Sequence, residues 1–182
     1  DGIAALVEWH IEAGTTGLFV VCSTGEMFAL SQDEMVEIVE AAVISADGRI
    51  PIIAGLPFPD VNRKAEIAKR YETVGVDGGV ALQPFESPAD NDTMYEHYAR
   101  LADEVKIPLF IYEHPKWQST HLLTPALVGR LVANGRYFGM KDCTGDLSRL
   151  VAMADVSEGQ FGVMQAVQER LLPSLVCGAT GV

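Results

Sequence analysis

Short apolar runs alternate with longer helical stretches along this chain, and the alternation limits the folds that it can adopt. Segments such as Gly17-Leu-Phe-Val-Val21 are apolar at successive positions and not at every second one. Strands of this kind are covered on both faces, as in a parallel sheet between layers of helices. Seven strands are predicted, at residues 17–21, 50–54, 79–82, 108–112, 137–140, 161–164 and 178–182. Helices are predicted at residues 3–13, 31–46, 63–74, 92–105, 124–133, 147–156 and 168–177.

The number of strands distinguishes two α/β architectures. A series that opens with a helix implies a strand before it, and eight strands close a (β/α)8 TIM barrel. The alternative is a doubly wound open sheet, but no Gly-x-Gly-x-x-Gly fingerprint follows any predicted strand. We therefore expect residues 1–182 to form a single, partial TIM-barrel domain that lacks the first strand and the C-terminal part.

Composition narrows the classes of partner and compartment. The net charge of −12 and the pI near 4.6 argue against a nucleic acid or an anionic membrane as partner. No apolar stretch is long enough to span a bilayer, and no signal peptide opens the sequence. The three cysteines, Cys22, Cys143 and Cys177, are odd in number and widely spaced, which predicts reduced thiols in a cytoplasmic protein. The four histidines show no metal-ligand spacing.

Residues that follow the strands are the candidates for an active site, because α/β enzymes place their sites at the carboxyl ends of the strands. Lys141 ends an apolar run there, and a neutral lysine amine is a nucleophile towards a carbonyl carbon. The structural alternative is a lysine that reaches water or pairs with Asp142 or Asp146. The hydroxyl and backbone N–H groups of residues 23–25 could bind a carboxylate, and a tyrosine could relay protons. Gln165 directly follows another predicted strand, at 161–164.

Several motifs, in order and at consistent spacing, carry a family resemblance. Gly17–Glu26 with Ala29-Leu-Ser-Gln-Asp-Glu34 resembles the Gly-(Thr or Ser)-Thr-Gly-Glu signature of the dihydrodipicolinate synthase / N-acetylneuraminate lyase family. The segments at 51–55, 111–115 and 139–146 match the later motifs of that family, and 178–182 resembles its glycine-rich eighth strand. The resemblance implies a (β/α)8 barrel, a lysine-dependent class I aldolase mechanism that needs no metal or organic cofactor, and a homo-oligomer, commonly a tetramer.

The resemblance also implies roles for individual residues. Lys141 matches the Schiff-base lysine, and Tyr112 matches the proton-relaying tyrosine. Ser23 and Thr24 match the pair that holds the pyruvate carboxylate and completes the relay, with Thr24 as the expected shuttle partner of Tyr112. Gly25 belongs to the same binding segment, where it shapes the backbone. The alternatives are that Tyr112 is a rim aromatic and that residues 23–24 form an ordinary turn.

The sequence departs from the family on the side of the second substrate. Pro84-Phe85-Glu86 stands where dihydrodipicolinate synthases have a second tyrosine, Glu113 replaces an asparagine, and Lys116-Trp117-Gln118 replaces a carboxylate-binding arginine. A lysine is a poor substitute for a bidentate guanidinium. Glu86, Glu113 and His114 are either contacts for a hydroxylated substrate or solvated rim residues.

These departures leave several functions open. A lyase acting on pyruvate or another 2-oxo acid, with an aldehyde as the second substrate, is expected. A 2-keto-3-deoxy sugar acid dehydratase is an alternative on the same site, and 4-hydroxy-tetrahydrodipicolinate synthase is disfavoured. A catalytically silent binding barrel is the alternative without enzymatic activity, and a nicotinamide-dependent oxidoreductase lacks its glycine fingerprint.

Overall fold

The chain folds into parallel strands joined by helices, as a computed structural model shows for residues 2–84, 90–115, 122–156 and 159–181. The strands of the described residues are β1 (Leu18–Val20), β2 (Ile52–Leu56), β3 (Gly78–Leu82), β4 (Leu109–Glu113), β5 (Tyr137–Asp142) and β6 (Gly162–Gln165). The α-helices are α1 (Gly2–Glu12), α2 (Gln32–Ala46), α3 (Val61–Val74), α4 (Asn91–Glu104), α5 (Pro125–Asn134), α6 (Leu147–Asp155) and α7 (Leu171–Val176). Short 3-10 helices cover Ser23–Gly25 and Gln168–Arg170. The six strands lie within about two residues of their predicted bounds.

The sheet has the strand order β1-β2-β3-β4-β5-β6, and every neighbouring pair is parallel. A doubly wound sheet reverses its strand order part-way, so this order excludes that alternative for the described strands. The sheet is also strongly curled. Lys141 Nζ of β5 lies 5.3 Å from the ring centroid of Phe19 in β1, whereas in a flat sheet four strand spacings separate these strands by roughly 19 Å. The result is a curled half-barrel with a concave face.

Of the seventh predicted strand, at 178–182, the described residues 178–181 form one parallel bridge, between Met164 and Gly181. Two backbone bonds support it, from Thr180 N to Val163 O at 2.9 Å and from Gln165 N to Gly181 O at 3.0 Å. The helix predicted at 168–177 is likewise divided into a 3-10 turn and α7. Elsewhere the predicted helices are confirmed.

Helix starts follow local chemistry. Ser31 Oγ accepts from Glu34 N, and the Glu34 carboxylate accepts from Ser31 N at 2.8 Å, so the predicted cap of α2 is a complete capping box. Asp146 caps α6 by accepting from Ser148 N and Arg149 N. This cap fixes the first residue of α6 close to the carboxyl end of β5.

The hydrophobic core lies between the helices and the convex face of the sheet. The strands supply Leu109, Ile111 and Met140, each without exposed surface, and the helices supply buried residues such as Val39 and Ile67. This packing leaves the opposite, concave face to side chains such as Phe19, Tyr112 and Lys141. No helix among the described residues is long and apolar enough to cross a membrane.

Candidate active site

Lys141 and Tyr112 meet on the concave face of the sheet. They are direct partners in the register of β4 and β5. Lys141 Nζ lies 4.5 Å from the centroid of the Tyr112 ring, and the Phe19 ring packs edge-on against Tyr112 at 6.0 Å. An amine between two aromatic rings is held in a mostly apolar setting, where cation–π attraction orients it. The nitrogen is thus presented at the mouth of β5.

An ion pair of Lys141 with Asp142 or Asp146 is not what the described residues show. The Asp142 carboxylate accepts from Thr144 N and Thr144 Oγ1 at 2.8 and 3.1 Å, and from Arg149. Asp146 is occupied by the cap of α6. Lys141 is half-buried and faces the concave side of the sheet. It is therefore placed towards the cavity and not in an ion pair with either aspartate.

The hydroxyl groups of Ser23 and Tyr112 lie 2.9 Å apart, which links the segment after β1 to the end of β4. Thr24 does not take this position, because its Oγ1 lies 2.8 Å from Cys22 Sγ. The expected contact between Thr24 and Tyr112 is therefore made by Ser23 instead. The cause is the 3-10 helix at 23–25, which turns successive side chains in different directions.

The backbone before this helix is unusual. Val21 has φ 53°, a left-handed conformation that is strained for a β-branched residue. A Cβ atom at Gly55 would lie 2.0 Å from the carbonyl oxygen of Val21, so only glycine fits at that point of β2. The contact between Gly55 and Val21 therefore sets the direction in which residues 22–25 leave the strand.

Tyr112 is held protonated by its surroundings. Burial raises the pKa of the Tyr112 phenol well above its usual value, the hydrogen bond with Ser23 acts against this rise, and Cys143 adds to it. A phenol that stays neutral at physiological pH moves protons only by accepting one and releasing another at the same time. The Ser23 hydroxyl at 2.9 Å is a suitable second member of such a relay.

A cavity of about 460 Å³ opens next to Lys141. Its lining is mostly apolar, which is typical of a site for a small molecule. The lining residues are Phe19, Cys22, Thr24, Ile53, Val80, Phe110, Lys141, Met164, Gln165, Ala166, Val167, Gln168 and Leu171. Lys141 and Thr24 thus share one cavity, while Tyr112 and Ser23 lie beside it.

Gly25 contributes to this site through its backbone, and His114 contributes through its ring. Gly25 N donates to Cys22 O at 3.0 Å, so the residue closes the short helix through its backbone. The His114 ring packs against the Tyr112 ring at 6.1 Å. Glu86 lies outside the described residues, as do the departures at Phe85 and at 116–118.

Glu113 is neither a cavity residue nor a solvated rim residue, which corrects both interpretations of it. Successive side chains of a strand point to opposite faces, so Glu113 turns away from the face that carries Tyr112. Its carboxylate has no exposed surface and is paired with Arg149 on the helix side of the sheet. Burial raises the pKa of Glu113, and Arg149 opposes the rise.

Arg149 was missed by the sequence analysis, although a signal for it existed. The alternation that puts Tyr112 and Lys141 on the concave face puts Glu113 and Asp142 on the convex one. Two carboxylates between a sheet and its helices require a cation, since a buried charge without a partner is costly. Arg149, in the first turn of α6, is that cation.

Comparison with known proteins identifies the family to which this fold and site belong. A model of the dihydrodipicolinate synthetase family matches residues 1–182. The chain belongs to the dihydrodipicolinate synthetase family. This result confirms the resemblance carried by the motifs around Ser23, Tyr112 and Lys141.

Curated members and solved structures of the dihydrodipicolinate synthetase family agree with this assignment. The 4-hydroxy-tetrahydrodipicolinate synthase of Brucella abortus is 37% identical over 158 residues, which cover 86% of this chain and 54% of that protein. The enzyme of that name from Methylococcus capsulatus is 32% identical over 181 residues, covering 100% of this chain and 62% of that protein. The chloride-inhibited dihydrodipicolinate synthase from Acinetobacter baumannii, complexed with pyruvate, has a TM-score of 0.93 at 31% identity, covering 98% of this chain and 61% of that one. The chain spans about 60% of the length of the curated relatives that it matches.

Proposed function

We propose that this chain is the catalytic part of a lyase that forms an imine between Lys141 and pyruvate or another 2-oxo acid. One observation carries the proposal: the Lys141 amine, the Tyr112 phenol and the Ser23 hydroxyl meet beside one cavity in a member of the dihydrodipicolinate synthetase family. The relatives named 4-hydroxy-tetrahydrodipicolinate synthase are lyases, and the Acinetobacter relative was solved with pyruvate.

The proposed chemistry needs a nucleophile and a proton relay. The neutral Lys141 amine attacks the ketone carbon, and the ketone oxygen leaves as water when the carbon–nitrogen double bond forms. The protonated imine then accepts the electron pair of a broken C–H or C–C bond at the neighbouring carbon, which yields an enamine. Tyr112 and Ser23 carry protons to and from these centres.

The carboxylate of the 2-oxo acid would lie at the 3-10 helix of residues 23–25. Backbone N–H groups at the start of a helix have no partner within it, and Thr24 lines the same cavity as Lys141. With the carboxylate held there, the ketone carbon is presented to the amine. The covalent imine is the electron sink, so this route requires no metal or organic cofactor.

Architecture and assembly are part of the same proposal. The sequential parallel order and the curl of the sheet support a complete (β/α)8 barrel in the intact protein, of which residues 1–182 form one partial domain. A homo-oligomer, dimer or tetramer, and a cytoplasmic location remain predictions.

For the second substrate we propose a hydroxylated compound, with cleavage or dehydration of a 2-keto-3-deoxy sugar acid as the reaction. Gln165 ends β6 and is one of the polar residues that line the cavity, with Lys141, Thr24 and Gln168. The sequence lacks the expected arginine for the carboxylate of aspartate semialdehyde.

Reduction with borohydride tests the core of the proposal in the intact protein. Pyruvate with borohydride should leave a secondary amine on the peptide that contains Lys141, and Lys141→Ala should abolish the label without unfolding the protein. A label that persists in Lys141→Ala contradicts the assignment of the lysine. An unlabelled but folded wild-type protein that binds pyruvate favours the silent binding barrel.

A side-by-side kinetic comparison tests the second substrate. We expect kcat/KM for aldol cleavage or dehydration of a 2-keto-3-deoxy sugar acid to exceed that for pyruvate with aspartate semialdehyde. A higher kcat/KM with aspartate semialdehyde would identify a 4-hydroxy-tetrahydrodipicolinate synthase instead.

A further inference from the structure

A buried ion cluster lies behind the strand ends that carry the reactive residues. Arg149, in the first turn of α6, donates from Nη2 to Glu113 Oε1 at 2.8 Å, and its Nη1 forms an ion pair with Oε2. Its Nη1 lies 3.5 Å from Asp142 Oδ1, and its Nη2 donates to Leu123 O at 2.5 Å. The guanidinium therefore joins β4, β5 and the segment before α5.

The positions of the two carboxylates are specific. Glu113 directly follows Tyr112 in β4, Asp142 directly follows Lys141 in β5, and the two acids are partners in the register, as are Tyr112 and Lys141. One cross-strand pair thus faces the cavity and the next faces the helices. A shift of either acid moves the peptide unit that it shares with a reactive residue.

The surroundings of the cluster keep it rigid. The exposed fraction of the side chain is 13% for Arg149, 0% for Glu113 and 2% for Asp142. Leu123 N donates to Glu113 Oε1 at 2.6 Å, and Thr144 donates to both oxygens of Asp142. These donors and Arg149 hold Glu113 Oε1 and both oxygens of Asp142, which limits the rotation of the two carboxylates.

Stability alone is a weak reason for such a cluster. Replacing a buried ion pair by apolar side chains of similar size is often neutral or stabilising, because the charges must be removed from water. A bidentate guanidinium, in contrast, sets distances and angles closely. Errors of about 1 Å in the placement of reacting groups reduce rates by about a hundredfold.

We propose that Arg149 is a positioning residue that sets the spacing of Tyr112 and Lys141 by clamping Glu113 and Asp142 behind them. The proposal rests on the proposed function of Lys141 and Tyr112, and it concerns reaction rate more than pyruvate binding. Arg149 touches no substrate in this scheme. It acts through the two strand ends.

Exchange of the methyl hydrogens of pyruvate with D2O is a suitable measurement, because it requires the imine and the proton relay but no second substrate. In the intact protein, Arg149→Ala should lower the exchange rate at saturating pyruvate by about 10- to 100-fold. The pyruvate concentration that gives half of the maximal rate should change little. Arg130→Ala is the matched control, because it removes an exposed arginine of α5 whose ion pair with Asp92 measures 2.6 Å, and it should retain the wild-type rate.

Chemical rescue separates positioning from a loss of folding. Methylguanidinium at millimolar concentration should restore part of the exchange rate of Arg149→Ala, since it fits the space that the side chain leaves, and should restore none in Tyr112→Phe. A folded Arg149→Ala protein that exchanges within about threefold of the wild-type rate overturns the proposal. The proposal is also overturned if Arg149→Ala raises the half-saturating pyruvate concentration and leaves the rate at saturating pyruvate unchanged.

Glu113→Gln keeps the proposal testable if Arg149→Ala does not fold. Glutamine preserves the size of the side chain and an acceptor for Leu123 N, but it cannot offer two acceptor oxygens to the guanidinium. We expect a roughly tenfold slower exchange with unchanged saturation by pyruvate. An unchanged rate in folded Glu113→Gln contradicts the proposal. Borohydride labelling of the wild-type protein tests the proposed function separately, so the two failures are distinguishable.

Discussion

Tyr112 and Lys141 stand opposite each other in the parallel ladder of β4 and β5, with the lysine nitrogen 4.5 Å from the centre of the tyrosine ring. The pairing places a nucleophile and a phenol on one face of the sheet. Their distance depends on register, because a shift by one residue would turn one of them to the helix side. Both cross-strand pairs, Tyr112 with Lys141 and Glu113 with Asp142, therefore affect the geometry of the proposed reaction.

Removal of the Tyr112 hydroxyl should separate imine formation from proton transfer. Tyr112→Phe keeps the ring that packs against Phe19 and Lys141, so borohydride should still trap the pyruvate imine. The exchange of pyruvate methyl hydrogens should fall by about 10²- to 10⁴-fold, the usual contribution of a positioned acid–base group. A change of less than about threefold would make Tyr112 a packing residue.

The two hydroxyls after β1 should differ in effect. Ser23→Ala breaks the 2.9 Å contact with Tyr112 and should lower the exchange rate at saturating pyruvate. Thr24→Ala should mainly raise the pyruvate concentration needed for half saturation, because Thr24 lines the cavity and contacts Cys22 instead. Equal effects of the two variants on the saturated rate would argue against the relay through Ser23.

Gly55→Ala should damage the site without touching a reactive residue. The added Cβ would collide with the Val21 carbonyl oxygen, which must move and shift residues 22–25. We expect slower trapping of the imine and a destabilisation of roughly 1–3 kcal/mol, as in other overpacked sites. Gly129→Ala is the control, because a Cβ there meets nothing within 4 Å and alanine favours a helix by up to about 1 kcal/mol. If Gly55→Ala traps the imine at the wild-type rate, the contact between Gly55 and Val21 does not set the direction of residues 22–25.

A buried lysine–histidine pair between α3 and α4 predicts how stability depends on pH. Lys64 has no exposed surface, and its Nζ lies 2.8 Å from His97 Nε2. Burial lowers the pKa of Lys64 from 10.5 to about 7, against a small opposing effect of Asp60. Burial and the charges of Lys64 and Arg100 lower the pKa of His97 from 6.5 to about 3.

Between pH 7 and about 10 the unfolded chain therefore holds a proton on Lys64 that the folded chain lacks. Stability should rise with pH in this window, by about 2–3 kcal/mol between pH 7.5 and 9.5, and His97 adds a rise between about pH 3 and 6.5. Urea unfolding at pH 7.5 and 9.5 measures the first effect. Lys64→Met should remove most of the difference in the free energy of unfolding between these two pH values. Lys69→Met, which replaces an exposed lysine of the same helix, should leave that difference unchanged. Equal slopes in the wild-type protein and Lys64→Met would contradict the assignment.

The order of the secondary structure and the position of Lys141 and Tyr112 at the carboxyl ends of neighbouring strands could be predicted from the sequence. Local patterns suffice for this, because continuous apolar runs specify buried parallel strands and a helix cap such as Ser31 needs only residues three positions away. Strand alternation also places the adjacent side chains of Tyr112 and Glu113 on opposite faces of the sheet. The strand expected at 178–182 was less predictable, since its pairing depends on the rest of the sheet.

The sequence by itself determined the series of strands and helices, the family, and the location of Tyr112 and Lys141 at the ends of β4 and β5. Only the tertiary structure decided that Ser23, and not Thr24, reaches Tyr112, and that Arg149 holds Glu113. The first contact joins residues 89 positions apart and the second joins residues 36 apart. Such contacts arise because the sheet curls and the helices pack behind it, and neither is written in the local pattern of residues.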